Sequence, residues 1–168
     1  MPALSQEAEE VQNPGLGAMA VWRFATGYAL ASQENKPTPI PLLFLVLPLL
    51  YHEESLEVLS STRRGSGLRG FAGKFSDSQH RKTDILLELH ERCVRMRTLS
   101  LDALRVALAT KLLALDVERA VAFPLTRTSP KAGVPNSIQL MLQNAEKLGA
   151  WCAELSLHEV SLILKVSF

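Results

Sequence analysis

Two cysteines, few aromatic residues and almost no excess charge of either sign exclude several classes of protein at the outset. Cys93 and Cys152 are too few and too far apart for a disulfide-stapled scaffold. Each lies in an apolar helical pattern, so both are expected to be buried, reduced thiols of a cytoplasmic protein. Eighteen Lys and Arg stand against seventeen Asp and Glu, and the net charge of +1 draws the chain neither to nucleic acid nor to an anionic membrane. Glu7, Glu9 and Glu10 replace the basic-then-apolar order of a signal peptide, so export is not expected. The longest uncharged run, residues 37–51, has fifteen residues and includes Pro37, Pro39, Pro41 and Pro48. A bilayer needs about 20 apolar residues in a helix, so this run is expected to be a buried core helix and no membrane contact is expected.

What is present is apolar and helical. A chain of 168 residues that is 47% hydrophobic can bury one core, and a single helical domain over residues 13–168 is expected behind a mobile acidic segment, residues 1–12. Asn13-Pro14 has the form of an N-cap followed by proline in the first turn, opening a helix that ends near Ser32. Its small residues (Gly17, Ala18, Ala20, Ala25, Gly27) invite a close neighbour. Thr38 is the expected N-cap of the proline-flanked helix, which runs on through Leu59 with a kink at Pro48. Residues 60–78, rich in Gly, Ser and basic side chains, have the composition of a long surface loop.

Ile85, Leu86, Leu89, Cys93 and Met96 mark an amphipathic helix. Ser100 is the expected cap of the next, whose stripe is Leu101, Leu104, Leu108, Leu112 and Leu115. Residues 120–125 resemble a short strand. Residues 126–135 form a loop, and a long helix follows with Ile138, Met141, Ala145, Leu148, Cys152 and Leu155 at helix-seam spacing. Ser156-Leu157-His158-Glu159 spells a capping box. Residues 163–168 alternate like a strand and are expected to pair with residues 120–125. The fold class is therefore mainly α: a compact helical domain with a small two-stranded sheet, its residues 100–168 winged-helix-like.

The chemistry-bearing motifs fail on context. Gly65-Ser66-Gly67-Leu68-Arg69-Gly70 spells G-x-G-x-x-G, but a helix precedes it where a dinucleotide site needs a buried strand. Gly73-Lys74 lacks the first glycine and the hydroxyl of a phosphate loop, at Leu68 and Phe75. Val94 stands where a zinc-protease helix opened by His90-Glu91 would need its second histidine. His52 with Glu53 and Glu54 has the character of a polar helix face. No catalytic group, metal set or cofactor site is expected. The one electrostatic feature is the basic set Arg63, Arg64, Arg69, Lys74, Arg81 and Lys82, which could hold a phosphate backbone or an acidic partner. The expected recognition helix, residues 157–162, offers base edges no Arg or Lys, which favours protein contact over DNA reading.

Taken end to end, the chain resembles the middle component of bacterial three-component ABC systems, a group overlapping the Lamassu antiphage systems. The residues that carry the resemblance are Asn13-Pro14-Gly15-Leu16-Gly17-Ala18 with Trp22-Arg23-Phe24 and Gly27-Tyr28, and Pro41-Leu42-Leu43-Phe44-Leu45-Val46-Leu47-Pro48. Arg95-Met96-Arg97 and Ala145-Glu146-Lys147-Leu148-Gly149 with Trp151 complete it. The resemblance implies a small non-catalytic adaptor joining an SMC-like or Rad50-like ATPase to an effector, often a nuclease, and touching DNA only through the complex. The alternative is a small DNA-binding regulator that uses the basic residues between 63 and 82.

Overall fold

The computed structural model describes residues 13–76, 81–128 and 133–168. The acidic residues 1–12 and part of the 126–135 loop lie outside them. Helix α1 (Pro14–Ala31) begins as its sequence dictates: the Asn13 side chain accepts a hydrogen bond from the Gly15 amide at 2.8 Å, and proline fills the first helical position. Most residues between Gly17 and Ala29 are buried, so α1 is the central element and not a surface helix. It packs between α9 (Asn136–Ala153) and α8 (Arg97–Ala109). A Cβ on Gly149 would lie 2.0 Å from the Phe24 carbonyl oxygen, and one on Gly27 2.0 Å from that of Glu146. Residue 24 opposite 149 and residue 27 opposite 146 make α1 and α9 antiparallel.

The proline-rich run is not one helix. It forms β1 (Thr38–Pro39), α2 (Ile40–Leu43) and α3 (Val46–Leu50), and α4 (Glu53–Ser61) follows. Pro48 has no N–H to give the Phe44 carbonyl, and the chain turns just before it. Phe44 and Leu45 donate to Pro41 and Leu42 in tight i−3 bonds of 3.2 and 3.1 Å. The run is nevertheless buried as expected, with Leu42, Leu43, Leu45, Val46, Leu47, Leu49 and Leu50 in the core. Thr38 is a strand residue and does not cap.

Of the stretch 60–78, the described residues 60–76 are also not one loop. After a 3-10 turn (Arg64–Ser66) comes α5 (Gly67–Ser76), which buries Leu68, Phe71, Ala72 and Phe75. Their i, i+3, i+4, i+7 spacing is one helix face, and Phe71 stacks edge-on against Phe75 with ring centroids 5.1 Å apart. The glycines and arginines between them hid this pattern in composition.

Three helices, α6 (Arg81–Leu87), α7 (Leu89–Arg95) and α8, run on from one another. Amides of Glu88, Arg92, Met96 and Ser100 donate to Asp84, Glu88, Arg92 and Met96 across the two breaks. Ser100 lies buried inside α8, so it is not the expected cap. Leu101 is partly exposed, and α8 stops at Ala109, so Leu112 and Leu115 belong to no helical stripe.

Instead β2 (Leu113–Asp116) pairs antiparallel with β3 (Val121–Pro124), and β1 adds on the other side in the order β1-β3-β2. The partner expected for β3 does not exist: α10 (Leu157–Leu164) runs into the final segment, and Lys165 turns the chain with φ 56°. Leu164 and Val166 are buried by this turn and not by strand pairing. The winged-helix order is thus overturned, because the sheet is a local hairpin extended from the amino-terminal half. The capping box at Ser156 and Glu159 forms as spelled, with bonds of 3.1 and 2.8 Å.

Candidate functional site

The structure places the basic residues Arg63, Arg64, Arg69 and Lys74 on and just before α5. Arg63 and Arg64 are exposed around the 3-10 turn, but Arg69 pairs with Glu159 at 3.3 Å and Lys74 donates to the Ser61 carbonyl at 2.9 Å. The side chains of Arg81 and Lys82 lie outside the described residues. The glycine motif opens α5 at Gly67, yet helix α4 precedes it and no strand does, so the dinucleotide context is missing as expected.

Several cations are engaged in closing helix ends. Lys147 donates to the carbonyls of Leu59 and Thr62 at 2.6 and 3.0 Å, and its ammonium stands 5.4 Å from the Trp151 ring centre. The Trp151 indole N–H donates to Arg64 at 2.7 Å. The α4 end therefore meets Lys147 and Lys74, which suits the negative pole of a helix. Burial, then the neighbouring Lys74 charge, lowers the Lys147 pKa.

Arg92 does the same for two helices at once. It is buried, and it donates to Pro48 at the end of α3 (3.0 Å) and to Ile85 near the end of α6 (2.8 Å). No carboxylate lies within ion-pair distance of it among the described residues. Ser55 stands 3.4 Å from Arg92 and 2.9 Å from His52 Nδ1, which also accepts from the Ser55 amide as the N-cap of α4. Burial, then the Arg92 charge, holds His52 below its ordinary value of 6.5, with Glu54, Glu88 and Glu53 opposing. The His52–Ser55 pair is a helix start, and Ser55 is 1% exposed, so no substrate reaches it.

Neither cysteine is an activated nucleophile. Burial pushes Cys152 up to about 12 and Cys93 up to about 11. Among the described residues no group of three His, Cys, Asp or Glu side chains is arranged to hold a metal. No helix among them is long and apolar enough to cross a membrane.

The remaining feature is an apolar groove of about 310 Å³ between α2, the α7–α8 rod and the segment after α10. Ile40, Pro41, Phe44 and Leu45 form one wall, Cys93, Val94, Arg97 and Leu101 the other, and Phe168 an end. Val94, Leu101 and Phe168 are 50%, 37% and 49% exposed. His90 closes the floor, accepting from the Ser167 amide at 3.3 Å. The groove was missed in the sequence, although a signal was there: Val94 is an apolar residue off the buried stripe Ile85, Leu86, Leu89, Cys93, Met96.

Over residues 1–168 the sequence matches the family described as ABC-three component (ABC-3C) system Middle Component 3. The chain belongs to this family. It is accordingly a component of a multi-part system, as the packing motifs around Asn13, Pro41 and Trp151 implied. No curated protein and no solved structure matches this middle component.

Proposed function

We propose that this middle component is a non-catalytic adaptor of an antiphage defence complex, Lamassu-like in organisation and cytoplasmic. It joins an SMC-like or Rad50-like ATPase to an effector, often a nuclease in such systems, and restrains the effector until the ATPase senses foreign DNA. The carrying observation is membership of a three-component family together with an exposed apolar groove that a partner's apolar side chains could cover. The raised thiol pKa values and the buried Ser55 support a role without chemistry.

Co-expression with the two operon neighbours, followed by size-exclusion chromatography, is the direct test. Coelution with both is the expected result. A stable monomer that copurifies with neither sinks the adaptor reading.

The DNA-regulator alternative has less behind it, because Arg69 and Lys74 already have partners within the chain. It requires affinity that falls steeply with salt and weakens in the Arg63→Ala, Arg64→Ala double variant. Absence of a mobility shift at low salt removes it.

A further inference from the structure

We infer that the groove between α2 and the α7–α8 rod receives an amphipathic helix from another subunit, with an acidic side chain of that helix set against Arg97. The inference rests on the adaptor reading and specifies which surface serves it.

The groove suits a helix laid along it. Val94 on α7 and Leu101 on α8 stand on either side of the break at Met96, and both line the groove and are at least a third exposed. Phe168, 49% exposed, stands with them along the lining. A helix laid along the rod covers all three, presenting its own apolar residues at i, i+3, i+4 and i+7 to the gap. Leu87, on α6 before the break at Glu88, is also 53% exposed.

Charge then selects the partner. The twelve lining residues include Arg97 and His90 but no Asp or Glu. The Arg97 guanidinium has no ion pair among the described residues, so a partner's carboxylate can meet it without displacing another. Two copies of this chain meeting groove to groove would bring two unbalanced guanidiniums into one apolar interface. An acidic-apolar helix from a different chain brings the missing carboxylate, and charge complementarity of this kind fixes register and suppresses wrong partners.

The test uses the full chain co-expressed with its two operon neighbours. Val94→Asp with Leu101→Asp alters exposed positions, so circular dichroism and melting temperature should stay near wild type while one neighbour is lost from the coeluting complex. Arg97→Glu should weaken that same neighbour's binding about tenfold or more, and Arg97→Lys should restore most of it. A photo-crosslinking residue at Val94 should attach to a predicted helix of that neighbour carrying Asp or Glu beside its apolar row. Wild-type coelution that survives both the double Asp variant and Arg97→Glu overturns the groove inference but leaves the adaptor reading standing. If wild type binds neither neighbour, both fall. Crosslinking of Val94 to a second copy of this chain, in a complex broken by the double variant, replaces the inference with self-association.

Discussion

Gly149 lies directly beneath the Phe24 carbonyl, so close that a Cβ at this position would sit 2.0 Å from the oxygen. Gly27 and the Glu146 carbonyl repeat the arrangement one turn along. The Arg23–Glu146 ion pair bridges the two helices beside it. The central helix pair is therefore set by backbone contact, and side chains fill what remains.

Gly149→Ala should lower stability by roughly 2–3 kcal/mol in urea unfolding, because the helices must separate to admit a methyl group. Gly73→Ala is the matched control: it lies inside α5 with open space around it. There the same substitution should stabilise by about 0.5–1 kcal/mol through helix propensity alone. Equal effects at the two positions would refute the close-contact account.

Arg92→Ala removes the donor from two carbonyls at helix ends, Pro48 and Ile85, in a buried setting. A loss of about 3 kcal/mol is expected from thermal or urea unfolding. Arg92→Met fills the volume but supplies no donor, so it should rescue little. Full rescue by Met would mean that the arginine serves as packing.

His52 gives stability a pH dependence of predictable sign. Its folded pKa lies below the ordinary 6.5, so its contribution is complete above 6.5, where both states are neutral. As pH falls below 6.5 the unfolded chain takes up the proton first, and the contribution is lost progressively down to the folded value. His52→Asn keeps an N-cap acceptor without titrating. Melting temperatures between pH 7.5 and 5.5 should fall further for wild type than for this variant, and identical slopes would contradict the assignment.

Cys93 and Cys152 should both resist a thiol reagent in the native protein at pH 8 and both react in guanidinium chloride. The raised pKa values leave almost no thiolate, and Cys152 is fully buried. Rapid native labelling of either would reopen the question of a nucleophile.

Features governed by neighbours in sequence were legible beforehand. The Asn13 cap, the Ser156 capping box, the α9 seam and the burial of residues 37–51 follow from spacing and turn chemistry over a few residues. What escaped depends on distant parts of the chain. Helix α5 hid its four buried residues among glycines and arginines. Strand β2 read as helix because Leu112 and Leu115 continue a leucine spacing, and only pairing with β3 makes it a strand. The terminal alternation at 164–168 was a helix end folded back at Lys165. Two members of the basic set have partners that spacing alone did not suggest, Glu159 for Arg69 and the Ser61 carbonyl for Lys74. Val94 was the one local hint of the groove, whose walls on α2 and α7 and whose end at Phe168 meet only in the folded chain.

The lysine and indole that close the end of α4 and the 3-10 turn after it bear on the order of events during synthesis. Helices as short as α2, α3 and α4 are marginal alone, since isolated helices need about 12–15 residues to persist in water. Yet α4 finds a final donor in Lys147 and the 3-10 turn after it one in Trp151, 85 or more residues downstream. The amino-terminal half thus leaves the ribosome incomplete and exposed, and it is finished only when the chain through residue 151 has been made. Whatever partner or chaperone meets the nascent chain meets α4 without the lysine that closes it.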